Sequence, residues 1–171
     1  MKEPVTAEQA LTLHKILRKD PQRYLQIAND WISENPANSH AYFDRHRAWM
    51  KIGEPHRALA DLNKAIDLAP DQSALEARGD VYRHLGEYER ALQDYQRGEA
   101  MNPAEWAEGY GLLFQADCHA RLGDEAAALA CCARMPDDFW TPGMAGAPSG
   151  DKAAVTSKLQ ALAADSRRKQ R

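Results

Sequence analysis

Long apolar runs are missing from this chain. No stretch approaches the ~20 apolar residues that a bilayer-spanning helix needs, and the opening MKEPVTAEQALTLHK lacks the apolar core of a signal peptide. A membrane protein is not expected, and the expected location is cytoplasmic. Cysteine is scarce. Cys118, Cys131 and Cys132 form an odd, clustered set that makes no disulfide framework, in keeping with a reducing compartment. Neither sign of charge dominates: 22 Lys and Arg face 25 Asp and Glu, for a formal net charge of -3. No basic excess points to nucleic acid or to an anionic membrane surface. Hydrophobic residues are 44% and charged residues 27% of 171, so the chain can bury a core as one folded domain.

Catalytic and ligating patterns are equally sparse. The six histidines form no set with Ser and Asp in a triad context. His46, beside Asp44, Arg45 and Arg47, is expected to be polar and partly buried. Cys118-His119 and Cys131-Cys132 do not have the spacing of a zinc site, and adjacent helical residues do not face one ion. Core packing is the expectation for Cys118 and Cys132. An enzyme or ligand-binding domain using Asp117, Cys118 and His119 is a third and weaker reading. The segment Gly146 to Lys152 faintly resembles a phosphate loop but fails on spacing, lacks Ser or Thr after the Lys, and follows no strand. No catalytic residue, metal or cofactor is expected.

A repeat is what the sequence does contain. Residues 41–70 and 74–103 align without gaps at a period of 33, bringing Trp49 onto Tyr82, Gly53 onto Gly86, Ala58 onto Ala91, Leu62 onto Tyr95 and Pro70 onto Pro103. Each match has a physical reason. The Gly stands where the chain reverses between two apolar-periodic segments and a positive φ is useful. The Ala lies where the second helix crosses the first closely. The aromatic and Leu62 or Tyr95 fill the space between helices, and the Pro ends the unit because it lacks the N–H a helix needs. Weaker copies flank the pair. Upstream, Pro36 precedes Pro70 by 34 residues, Lys19 takes the place of the turn Gly, Thr6 with Gln9 fits a capping box, and Asp20-Pro21 fits an N-cap followed by Pro in the first turn. Downstream, Leu122-Gly123 and Ala128 are kept, and the second helix stops at Pro136. The 37 residues from Gly86 to Gly123 leave about four extra, expected to extend the loop or lengthen the helix near Pro103.

The pattern resembles the tetratricopeptide repeat. It departs from the family at His46, where Gly or Ala is usual, at Pro55 in place of Tyr, and at Gly98, where Ala is usual. The resemblance implies an all-α fold: a right-handed α-α superhelix of about four helical hairpins, over 5–38, 39–71, 72–104 and 105–136. A Gly/Pro-rich linker at 137–150 should follow, then a capping helix within 151–171, from an Asp151 N-cap to about Ala164, with a frayed basic tail.

The family's function implies the site. The first helix of each hairpin lines a groove that takes a peptide or partner helix. Carried onto this chain, the groove positions are His40, Phe43, Arg47, Met50 and Lys51; then Ser73, Glu76, Asp80, Arg83 and His84; then Tyr110, Leu113, Asp117, Ala120 and Arg121. Members that clamp chaperone tails use Lys and Asn residues that this chain lacks: the positions hold Phe43, Arg47, Ala77, Tyr110 and Phe114 in one register, and Gln9, Leu13, Asp44, Ser73 and Ala77 in the other. The expected function is a protein- or peptide-binding scaffold without that clamp. The alternative is a self-associating module whose groove is filled by its own C-terminal segment or by another copy. Phe139 and Trp140 are expected to fold back onto the last repeat, or else to form a docking strip.

Overall fold

A computed structural model describes residues 7–108, 110–144 and 146–170. The Thr6 half of the expected capping box lies outside the described residues. The chain divides into two compact units, residues 1–74 and 75–171.

In the first unit four helices follow one another: α1 (Ala7–Lys19), α2 (Pro21–Glu34), α3 (Ser39–Ile52) and α4 (Pro55–Leu68). Helix α1 packs on α2 and α3, α2 on α3, and α3 on α4. Their ends are set by the residues that sequence spacing singled out. The Asp20 carboxylate accepts the Arg23 N–H at 3.0 Å with Pro21 in the first turn, so α1 turns into α2 without a glycine. Gly53 sits at φ 84°, the left-handed conformation a side chain resists, and closes α3 before Pro55 opens α4. Leu17, Tyr24, Leu25 and Ala48 form a core cluster, and Ala58, Leu62 and Ala65 are also fully shielded.

Helix α5 (Gln72–His84) leads into the second unit, followed by α6 (Tyr88–Met101), α7 (Pro103–Glu108), α8 (Gly111–Arg121), α9 (Glu125–Arg134) and α10 (Lys152–Lys169). Between α9 and α10, β1 (Trp140–Thr141) pairs antiparallel with β2 (Gly150–Asp151). The extra residues near Pro103 neither lengthen a helix nor make an open loop. They form the separate short helix α7, because Trp106 buries itself in the core, its ring 5.9 Å from that of Tyr95. A Cβ on Gly111 would stand 2.2 Å from the Trp106 ring, so α8 can begin only with Gly there.

The C-terminal helix starts as expected, the Asp151 carboxylate accepting the Ala154 N–H at 2.8 Å. It does not fray at Ala164 but continues to Lys169. Arg167 pairs with Glu125, the Gln170 amide reaches the Leu122 carbonyl, and three basic residues in the last turn complement the helix dipole. The linker is likewise ordered in part. Phe139 is buried against Tyr110, whereas Trp140 is 62% exposed, so only one of the two aromatics folds back.

Two features of the repeat escaped sequence reasoning. Arg45 grips Asp61 through Nε and Nη2 at 2.8 and 2.6 Å, and Arg78 grips Asp94 at 2.7 and 2.7 Å. Both pairs recur at the 33-residue period and tie the two helices of a hairpin together. Small and large residues are also traded between helices. Gly79 lies under Tyr95, where a Cβ would come within 2.5 Å of the ring. At the matching positions of the preceding repeat stand His46 and Leu62, both buried. The larger residue on one helix accompanies the smaller on the other, so a Gly is required only where the partner is aromatic.

Candidate partner-binding site

The first unit contains a cleft of about 390 Å³ among α1, α2 and α3. Leu13, Tyr24 and Trp31 supply its apolar wall, while Asp44 and Arg47 supply charge. Tyr24 is anchored edge-on against Trp31, ring centroids 6.4 Å apart. Burial, with the negative charge of Asp44 nearby, pushes its phenol up to about 12. Burial also raises Asp44, against the opposing pull of Arg47 and Tyr24. Arg47 Nη1 stands 3.6 Å from Asp44 and remains 41% exposed. An apolar wall with a few fixed polar groups is the usual make-up of a binding cleft.

Of the groove positions expected on α3, only His40 and Arg47 line this cleft. Phe43 and Met50 are half-buried outside it, Phe43 lying edge-on to His46, and Lys51 is exposed. His14, Tyr24, Trp31 and Asp44 were not among the expected groove positions. They lie on or face the degenerate first repeat, and of the clamp positions read in the second register Leu13 and Asp44 line the cleft.

The second unit buries four of its nine expected groove residues, Arg83, Leu113, Asp117 and Ala120. Arg83 is 6% exposed, and Leu113 and Asp117 are fully buried. Arg83 Nη1 donates to Asp117 Oδ2 at 3.3 Å, its Nε to the Tyr95 hydroxyl at 3.3 Å, and its guanidinium lies 4.5 Å over the Phe114 ring. The Tyr95 hydroxyl donates to Asp80 Oδ1 at 2.7 Å. Arg121 Nε donates to the same Asp117 oxygen at 2.8 Å, and its Nη2 to the Gly146 carbonyl at 3.1 Å. Arg83, Leu113, Asp117 and Ala120 are therefore core rather than open groove. The segment after α9 also folds onto this region, Phe139 meeting Tyr110 and Gly146 meeting Arg121. Glu76 and Asp80 stay partly exposed, burial raising both carboxyls, and His84 is exposed.

The cysteines are packed. Burial pushes the Cys118 thiol up to about 12 and Cys131 to about 11, and raises Cys132. Among the described residues no three His, Cys, Asp or Glu side chains converge as metal ligands. No described helix is long and apolar enough to cross a membrane.

Comparison with known proteins agrees with this architecture. Residues 43–105 match the family described as "Tetratricopeptide repeat". Residues 43–105 therefore carry the tetratricopeptide repeat pattern, within an all-α fold. It is 32% identical over 76 residues to the Hsp70-Hsp90 organizing protein of Triticum aestivum, a match that takes in 44% of this chain and 13% of that protein. It is 28% identical over 91 residues to the Protein SGT1 homolog of Bos taurus, taking in 53% and 27%. The matches thus span about a quarter or less of these relatives. Among solved structures, the crystal structure of MamA superposes with a TM-score of 0.69 at 16% identity, over 98% of each chain.

Proposed function

We propose that this chain is a protein- or peptide-binding scaffold that seats its partner in the cleft of the first unit, and that it carries out no catalysis. The observation behind the reading is the cleft itself: Leu13, Tyr24 and Trp31 offer apolar contact while Asp44, Arg47 and His40 stand at polar positions around it. Aromatic and Arg side chains are the usual anchors of such contacts. The burial of Leu113, Asp117 and Ala120 argues against a partner on α8. The clamp positions hold Phe43, Arg47 and Ala77 in one register, so a chaperone C-terminal carboxylate is not the expected ligand, whatever the organizing proteins take.

The test is capture of partners by wild type and by a His40→Ala, Arg47→Glu variant, with helicity checked by circular dichroism. Partners held by wild type and lost by the folded variant support the reading. Equal capture by both removes the cleft as the site. Light scattering on the eluted protein separates a partner-binding monomer from the self-associating alternative.

A further inference from the structure

A second cleft, of about 350 Å³, lies between α5 and α6 and is lined by Arg78, Tyr82, Arg90, Gln93, Asp94 and Arg97. Three guanidinium groups surround one carboxylate. That carboxylate is already committed: Asp94 is buried, and both of its oxygens are taken by Arg78 at 2.7 Å. Arg97 stands 3.9 Å from Asp94 with its side chain 58% exposed, so it reaches only an acceptor that is already spoken for. Arg90 is 63% exposed, lies 5.6 Å over the Tyr82 ring, and pairs with Glu87 at 2.7 Å. An exposed pair of that kind is worth only ~0–1 kcal/mol and exchanges readily. Arg90 and Arg97 are seven residues apart on α6, which sets them about 10 Å apart on one side of the helix, with Gln93 between them.

We propose that this cleft binds an anionic oxygen group, a carboxylate or a phosphate, carried on a partner peptide, with Arg90 and Arg97 as its ligands and Tyr82 holding Arg90 in place. Guanidinium forks match the two oxygens of such a group, and the ring contact lowers the ordering cost of Arg90. The arrangement is built into the repeat. In the preceding hairpin Arg45 grips Asp61, Arg57 lies 4.8 Å over Trp49 and pairs with Glu54, and Lys64 stands where Arg97 does. The α5–α6 copy has the Arg in place of that Lys, and so a second fork rather than a point charge. This proposal concerns a different unit from the α1–α3 cleft and stands or falls separately from it.

The experiment is fluorescence anisotropy of the full chain with three labelled peptides of one length: an Asp/Glu peptide, its Asn/Gln counterpart, and the Asn/Gln peptide carrying two phosphoserines. The expected result is binding of an acidic peptide, none of the neutral one, and loss of affinity as salt rises from about 0.05 to 0.5 M. Arg90→Gln with Arg97→Gln should weaken binding by about tenfold or more, since charge-assisted hydrogen bonds are lost. Arg18→Gln with Arg168→Gln removes the same charge from exposed positions elsewhere and should leave affinity unchanged. Tighter binding of the phosphoserine peptide assigns phosphate, and tighter binding of the Asp/Glu peptide assigns carboxylate. No binding of either, equal binding of the neutral peptide, or equal loss in the two double variants overturns the proposal.

Discussion

Asp117→Ala is the sharpest test of how the second unit is held together. Asp117 is fully buried, and its charge is met by Arg83, whose side chain is 4% exposed, and by Arg121. Removing it takes a carboxylate from the Arg83 guanidinium, which stays against the Phe114 ring and the Tyr95 hydroxyl with the Asp80 carboxylate 3.6 Å away. Breaking a buried pair by deleting one member costs about 3–5 kcal/mol. Because Asp80 stays, about 3 kcal/mol is expected here, a fall in Tm of about 6–12 °C for a domain of this size. Arg83→Met, which keeps the apolar stem and drops the charge, should restore part of the loss. The double variant is expected to fall short of the sum of the singles by about 1.5 kcal/mol or more. Urea titration followed by tryptophan emission, to which Trp106 in the same core contributes, reads all four proteins. A cost below about 1 kcal/mol for Asp117→Ala, typical of an exposed pair, would refute the reasoning, and so would strict additivity.

Three further outcomes follow from the fold. Burial holds the His46 imidazole at about 4, below its unfolded value of 6.5, so its neutral state contributes stability that is present above pH 6.5 and drains away as pH falls toward 4; about 2 kcal/mol should be gone by pH 5. Asp44, raised by burial, acts in the opposite sense, so the measure is the difference in urea midpoint between pH 7 and pH 5 for wild type against His46→Ala, which should show the shallower dependence. Gly79→Ala should cost about 1–3 kcal/mol by forcing the Tyr95 ring aside, and a thermal melt unchanged from wild type would contradict that contact. Cys118 and Cys131, raised to about 12 and about 11, should stay unmodified by a thiol reagent at pH 8 until urea opens the chain; rapid labelling of the native protein would show that they are not packed as described.

What was legible in the sequence was local. Gly53, Gly86 and Gly123 all adopt φ near 80°, Pro21 and Pro55 open helices, and Asp20 and Asp151 cap them, because each of these residues acts on its own neighbours. The insertion near Pro103 was visible as a length, but its fate depends on Trp106 finding Tyr95 and Gly111, which spacing does not reveal. The site was harder still. A repeat position tells which way Leu113, Asp117 or Arg121 points along α8. It does not tell that Phe139 and Gly146, 29 and 25 residues further along the chain, meet Tyr110 and Arg121 there. The Arg–Asp pairs at spacing 16 could have been found, since both members recur at the repeat period.

The exchange of bulk between Gly79 with Tyr95 and His46 with Leu62 bears on how such hairpins can be recombined. A graft that moved only one helix of a hairpin into the other's setting would bring His against Tyr, or Gly against Leu. The first hybrid is overfilled and the second hollow. The heritable unit in this protein is therefore the helix pair, and engineered or evolutionary shuffling should succeed at Pro36, Pro70 and Pro103 and fail at Gly53 and Gly86.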